Sequence, residues 1–432
     1  MQPSEVVFVP ESIDDITPQW LQECVLKEQI EGEFEVVNLK RTCATDSQDR
    51  QGYTSLMIRI EVDVEIKTTE EKKKINLFAK LYPPNEQHRK MVREIMVFDR
   101  EIFVYTSLLN SIRSAQESSK VQLEPFWPKC VFTAMNRDAR VSAVIMEDLK
   151  ARGFILMDKT KGLDFEHLNL GCKAFARTHA LTFHLKQTVG VEQFLINNYQ
   201  LLQEPLDIFK HIFDINFDIS IGFLKGSGRP DLAKRMEDFR EKQKEPLGVH
   251  LRSILSRPHR MRTLIQGDCW VNNMMFRHEL QDGKEVPVEI KLLDLQCVRY
   301  GHPCEDLTYF LFTSSYSYQR NPFTEQLLRN YYETFFNSLF ELGSSFTRSQ
   351  YTFDELKADY NSFREMGLIL GAFFVIAQMA DPKDVPNLDT AEGDVIEVFR
   401  KFIEDLGTRP VPGPIAKRTQ DLAEDAVAHG VI

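Results

Sequence analysis

Leu264-Ile265-Gln266-Gly267-Asp268-Cys269-Trp270-Val271-Asn272-Asn273-Met274-Met275-Phe276 is the stretch that says most about this chain. It sets Asp268 and Asn273 five residues apart, immediately before a segment, Met274–Arg277, that reads as a strand. The loop beyond it contains Asp282-Gly283, a pair suited to a tight hairpin turn. The return strand Val288–Leu293 delivers Asp294. A hairpin brings its open ends together, so Asn273 and Asp294 are expected to be neighbours. A carboxylate and an amide at one end of a hairpin, with a second carboxylate on the preceding loop, suit a hard, oxygen-liganded cation such as Mg²⁺.

Upstream, the chain alternates. Leu56, Ile58, Ile60, Val62, Val64 and Ile66 interleave with Met57, Arg59, Glu61, Asp63, Glu65 and Lys67. That is a long period-two strand with one buried face. The charged run Thr68–Lys74 turns the chain, and Ile75–Tyr82 reads as the return strand, closed by Pro83-Pro84. Before this pair, residues 17–30 read as an opening helix with Thr17 as cap. After it, Met91, Ile95, Phe98, Ile102, Tyr105 and Leu109 form one apolar stripe, which predicts a helix over 88–110. Strands are expected near 129–135 and 141–146. Beyond Glu147-Asp148-Leu149 the pattern becomes helical, over about 165–186, 191–225, 229–256, 304–315, 323–343, 353–380 and 393–406. The hairpin near 274–293 interrupts this run. A β-rich N-terminal lobe, residues 1–147, is thus expected to precede a larger helical lobe, residues 148–432.

This is the layout of protein-kinase-like phosphotransferases. In that layout an Asp on the catalytic loop accepts the proton of the acceptor hydroxyl, here Asp268. An Asn five residues later and an Asp after the hairpin hold the metal, here Asn273 and Asp294. The N-terminal lobe supplies the other parts in order. Lys80 lies on the return strand, its side chain directed away from the Leu77/Ala79/Leu81 face. Glu101 lies on the following helix, where it would pair with Lys80 and aim its ammonium at the α- and β-phosphates. Glu147, Asp148 and Leu149 fall where the backbone of a hinge would meet adenine.

The sequence resembles the insect ecdysteroid-kinase-like family, in the choline-kinase and aminoglycoside-phosphotransferase branch of the kinase-like fold. The resemblance rests on Phe78-Ala79-Lys80, Arg100-Glu101-Ile102-Phe103-Val104-Tyr105, Glu147-Asp148-Leu149 with Gly153-Phe154, Thr178-His179-Ala180, the stretch Gly267–Phe276, Leu293-Asp294-Leu295-Gln296, and Pro303 with Asp306-Leu307. These motifs run in family order over about residues 35–310. The resemblance implies ATP-dependent phosphorylation of a hydroxyl on a small molecule, with ecdysteroids as the namesake substrates. Three departures stand out. Gln266 replaces the His that opens the family's catalytic motif, which puts activity in question. Leu295 replaces a Phe but keeps an apolar plug. The phosphate-covering loop Thr45–Ser55 has one glycine and three charges.

Other residues have plainer readings. His179 reads as a satisfied core histidine, Asn272 as a residue holding its loop by side-chain hydrogen bonds, and Asp306 as the cap of a helix starting at Leu307 and a brace for the catalytic loop. The aromatic stretch Phe194–Phe223 and Gly371-Ala372-Phe373-Phe374 are core patterns that could also line an apolar acceptor pocket. Cys297, His302 and Cys304 lack a second Cys/His pair, so free or structural thiols are expected of the seven cysteines.

Composition agrees with an enzyme of this type. The 432 residues are 43% hydrophobic and 27% charged, enough for large cores. A net charge of −11 argues against a nucleic-acid partner. Met1-Gln2-Pro3-Ser4-Glu5 does not read as a signal peptide. Leu368–Ala377, the longest apolar run, is too short for a membrane span. The expectation is an α+β, two-lobed, monomeric, cytoplasmic kinase that uses ATP and Mg²⁺ on a small hydroxylated, steroid-like acceptor. The alternatives are a nucleotide-binding pseudokinase and a choline- or aminoglycoside-type kinase.

Overall fold

The computed structural model describes residues 8–44, 55–136, 139–189, 198–202, 211–380, 385–387, 393–410 and 413–432. The loop expected over the phosphates, 45–54, lies outside the described residues, as do 194–197 and 203–210 of the aromatic stretch.

The N-terminal part is a five-stranded antiparallel sheet. Its strands are β1 (Phe34–Cys43), β2 (Leu56–Ile66), β3 (Glu71–Leu81), β4 (Cys130–Asn136) and β5 (Val141–Glu147), in the order β1-β2-β3-β5-β4. Ile58, Ile60, Val62, Val64 and Ile66 are buried, as the alternation of β2 requires. Met57, on the opposite face, is buried as well, because that end of the sheet roofs a cleft.

The helix expected over 88–110 is broken. Glu86–Glu94 ends at Ile95, Met96 takes a left-handed φ of 55°, and a new helix runs from Val97 to Phe103. A wide π-helical turn, Val104–Leu108, leads into Leu109–Ala115. The break re-aims the second segment, in which Val97, Phe98, Arg100, Glu101 and Phe103 are all buried. A straight helix with one stripe would bury one face only. The opening helix is also shorter than expected. Thr17 caps it by accepting from the Trp20 N–H, but helical structure stops at Val25. The apolar side runs out at Leu26.

The C-terminal part is helical, and helix Phe165–Val189 packs against Thr324–Glu341 and the hairpin. Two of the expected long helices are each two. Pro246 separates Pro230–Lys242 from Leu247–Leu255, since proline has no N–H to continue a helix. Phe363 separates Phe353–Ser362 from Arg364–Met379. A final helix, Gly413–Ala428, was not expected. The hairpin comprises β8 (Met274–Gln281) and β9 (Lys284–Leu292), with β6 (Phe154–Ile155) alongside β8. Its turn residues Asp282 and Gly283 have φ of 50° and 79°, the double left-handed geometry that Asp-Gly tolerates. Short strands β7 (Thr263–Ile265) and β10 (Arg299–Gly301) pair on either side of the catalytic-type loop. The protein is thus α+β, a β-rich N-terminal region followed by a larger helical one, in the two-lobed kinase-like manner. Among the described residues no helix is long and apolar enough to cross a membrane.

Candidate active site

Pairing in β3 sets the first part of the site. Lys80 lies opposite Met57 on one side and Val144 on the other. Its side chain leaves the face of Leu77, Ala79 and Leu81 and enters the cleft. Lys80 Nζ is 2.7 Å from Glu101 Oε2 and 2.7 Å from Asp294 Oδ1. Burial opposes a charge on this amine, but the Asp294 and Glu101 carboxylates outweigh it and hold Lys80 protonated well above the usual lysine range.

The hairpin supplies the second part. Met274 lies opposite Leu292, and the Leu293 N–H donates to the Asn273 carbonyl at 2.8 Å. The open end therefore sets Asn273 beside the chain that carries Asp294. Asp294 itself has a left-handed φ of 58°, a conformation Asp tolerates better than most residues. This kink turns its carboxylate toward Lys80, and Gln296 Nε2 donates to the other oxygen at 3.0 Å.

The loop 266–273 is the third part. Asp268 Oδ2 accepts from Asn273 Nδ2 at 2.8 Å, and the same amide nitrogen donates to the Asp268 carbonyl at 3.0 Å. These two bonds engage the amide nitrogen of Asn273 and leave its amide oxygen out of the contact with Asp268. Asp268 Oδ1 accepts from the Tyr309 hydroxyl at 2.6 Å. Burial first, and then the nearby Asp294, push the Asp268 carboxyl up to about 6, against the pull of the Tyr309 and Asn273 hydrogen bonds.

Asp306 holds this loop from behind. It accepts from the Gln266 N–H at 2.7 Å and the Gly267 N–H at 2.9 Å. Its third partner is His179 Nε2 at 3.1 Å, and His179 Nδ1 meets the Tyr331 hydroxyl at 2.9 Å, so His179 is a fully satisfied core residue. Despite burial, the His179 hydrogen bond and charge, with Arg299 and the Gly267 N–H, hold Asp306 below the usual carboxylate range. The helix does not begin at Leu307 with Asp306 as cap, however. It begins at Pro303, and His302 caps it in a reciprocal box with Glu305. Because His302 Nδ1 accepts from the Cys304 N–H, its proton sits on Nε2, facing Asp359. Gln266 does bracing work too: its Nε2 donates to the Leu293 carbonyl at 3.0 Å, tying the loop to the residue before Asp294. Gly267 has a φ of 82°, and a Cβ there would meet the Cys297 carbonyl oxygen at 2.3 Å.

Two cavities flank these residues. One, of about 110 Å³, is lined by Lys80, Glu101, Asn273 and Asp294 at one end and by Glu147, Asp148 and Leu149 among others. The Glu147 side chain is spent on the Lys129 N–H and Arg152, at 2.8 and 2.6 Å, and the Glu147 and Asp148 N–H groups donate to the Lys129 and Asn76 carbonyls at 2.9 and 3.1 Å. Asn272 faces this cavity instead of bracing its loop. The other cavity, of about 220 Å³, is mainly apolar: Phe213, Leu251, Leu370, Phe373 and Phe374 form its wall, with Gly267, Asp268 and Tyr309 at the edge. Phe213 and Phe373, one from each suspected aromatic stretch, stand 4.9 Å apart between ring centroids. Phe217 and Phe223 are core residues.

The structure therefore brings Lys80, Glu101, Asp268, Asn273 and Asp294 into one cluster, with Glu147, Asp148 and Leu149 across the cavity. The sequence reading missed Tyr309 and Arg299. Tyr309 lies one helical turn after Asp306, a spacing that could have flagged it. Arg299 bridges Glu305 at 2.8 Å and the Gly267 carbonyl at 3.3 Å. The oxygen donors of Asn273 and Asp294 are those Mg²⁺ prefers, so the residues fit that ion.

Compared with curated proteins, the chain has no match. The sequence profile of the ecdysteroid kinase-like family matches residues 49–344, which contain every residue of this cluster, and the chain belongs to that family of kinase-like small-molecule phosphotransferases.

Proposed function

We propose that the chain transfers the γ-phosphoryl group of ATP, with Mg²⁺, to a hydroxyl of an apolar, steroid-like small molecule. The observation that carries this reading is the position of Asp268. It edges the apolar cavity, while Asn273, hydrogen-bonded to it, lines the other one with Lys80 and Asp294. A donor nucleotide and a hydroxylated acceptor can meet across that one carboxylate.

In this reading the lobes divide at 147/148 and the hinge backbone at Glu147, Asp148 and Leu149 receives adenine. Lys80, fixed by Glu101, holds the α- and β-phosphates. Asn273 and Asp294 hold Mg²⁺, which when bound neutralises phosphate charge. Asp268 orients the acceptor hydroxyl and takes its proton. A base near pH 6 is ionised at neutral pH yet basic enough to help. Tyr309 and Asn273 fix the carboxylate so that no reorientation is needed during transfer. The protein acts as a cytoplasmic monomer.

Two observations weigh against the alternatives. Arg100 and Arg299 line the apolar cavity, and among its described lining residues Asp268 is the one carboxylate, a poor setting for a cationic choline or aminoglycoside. Gln266 keeps the brace to Leu293, so the change from His supplies no reason for an inactive loop.

The test is ATP consumption with Mg²⁺ against ecdysteroids, other hydroxylated steroids, phenolic glycosides and choline, beside Asp268→Asn. Turnover on an apolar alcohol, lost in the variant, supports the reading. Turnover on choline alone, or nucleotide binding with no turnover on any hydroxyl, counts against it.

A further inference from the structure

We infer that Arg59 forms the ceiling of the nucleobase slot and stacks on the base of the donor nucleotide; this rests on the nucleotide reading above. In the β2–β3 ladder Met57 lies opposite Lys80 and Arg59 opposite Phe78. Alternation puts all four on one face, and all four line the cavity that Asn273 and Asp294 also line. Two residues along a strand span roughly 6.6 Å. With Lys80 at the phosphate end, Arg59 and Phe78 therefore stand about one base-length nearer the hinge.

The Arg59 guanidinium carbon lies 5.9 Å from the Phe78 ring centroid. Its Nε is 3.5 Å from Asp148 Oδ2. That separation and angle make an ion pair but no hydrogen bond, and Nε is buried with no hydrogen-bond partner among the described residues. Leu149, Leu156 and Met275 give the cavity apolar walls beside the charged Glu147, Asp148 and Lys150. A partly exposed ion pair of this kind contributes little to folding. A planar cation anchored at the hinge, with a donor unspent, over a slot with apolar walls has the chemistry to stack on a flat π system. Period-two reading of β2 gives Arg59 to solvent, and only the roofed cleft makes it a site residue.

The experiment is calorimetric titration, with Mg²⁺, of ADP and separately of inorganic tripolyphosphate, which has no base. Wild type, Arg59→Met and Arg59→Lys are compared. Methionine keeps the apolar stem, and lysine keeps charge without the planar face. Both variants are expected to weaken ADP about five- to tenfold, the range of a partly desolvated cation–π contact, and to leave tripolyphosphate within about twofold. Equal loss for both ligands would assign Arg59 to the phosphates and overturn the inference. Unchanged ADP affinity would overturn it too. If wild type binds tripolyphosphate but not ADP, the base slot is wrong; if it binds neither, the nucleotide reading itself fails.

Discussion

Lys80 and Asp294 lie 214 residues apart in sequence, and their side chains meet at 2.7 Å. This contact joins the sheet to the hairpin and, through Glu101, to the helix that begins after the break at Met96. Lys80→Met should therefore do two things. Removing one partner of a buried ion pair costs about 3–5 kcal/mol, because the other charge stays buried. Glu101 is that other charge, whereas Asp294 is partly solvated. Denaturant midpoints should fall in Lys80→Met and recover in part in Lys80→Met/Glu101→Gln. ATP turnover should stay lost in both, and recovery of turnover in the double variant would remove Lys80 from the phosphate role.

Asp268→Asn keeps the shape of the side chain and removes the base. Loss of a general base costs on the order of 10²–10⁴ in rate. ADP affinity should hold within about twofold, because Lys80, Asp294 and the hinge segment are untouched. A rate within tenfold of wild type would mean that another group accepts the proton.

Gly267 permits no side chain. A methyl group there would sit 2.3 Å from the Cys297 carbonyl oxygen, a backbone atom that cannot swing aside. The positive φ adds strain of about 1 kcal/mol or more. Gly267→Ala should displace the loop carrying Asp268 and remove activity while the far sheet stays folded. Wild-type turnover in this variant would show that the loop tolerates another backbone path.

Gln266 offers a sharper comparison. Its side-chain nitrogen satisfies the Leu293 carbonyl, and an imidazole N–H can do the same. Gln266→His should retain turnover within a few-fold. Gln266→Leu leaves a partly buried carbonyl without its partner, at up to about 1–3 kcal/mol, and should lower both stability and rate. Equal activity in the leucine variant would make the brace irrelevant to catalysis.

Asp306 sets a pH dependence of stability. Its folded-state pKa is depressed, through His179, Arg299 and the Gly267 N–H, despite burial. A depressed carboxylate stabilises the fold above its unfolded value of about 3.9 and loses that contribution as pH falls through the folded value. The melting-temperature gap between wild type and Asp306→Asn should be widest near neutrality and narrow below about pH 4. A gap constant between pH 7 and pH 3 would show that the ionised form is not what stabilises the loop.

Much of the site was legible because it is local. Asp268 and Asn273 share one loop, and a hairpin with an Asp-Gly turn leaves few places for Asp294. The strand alternation of β2 and the ordered motifs of the N-terminal half pointed to the same fold. Helix boundaries were less legible. A stripe from Met91 to Leu109 satisfies helical spacing equally well with or without a break, and nothing local forces Met96 into the left-handed region. The capping role passed from Asp306 to His302 for a similar reason: Pro303 suits the first helical turn, but a four-residue shift leaves the apolar pattern nearly unchanged.

By itself the sequence determined which chemical groups are present, in what order, and which of them a hairpin must bring together. Short-range geometry has few solutions, so those statements follow from the residues alone. Only the tertiary structure decided that Tyr309 holds Asp268, that Arg59 faces a slot rather than water, and that Phe213 and Phe373 wall a cavity beside Asp268. Each of these contacts joins segments distant along the chain. Their closeness depends on how helices pack and where they break, and those outcomes are set by the summed burial of many side chains rather than by any one motif.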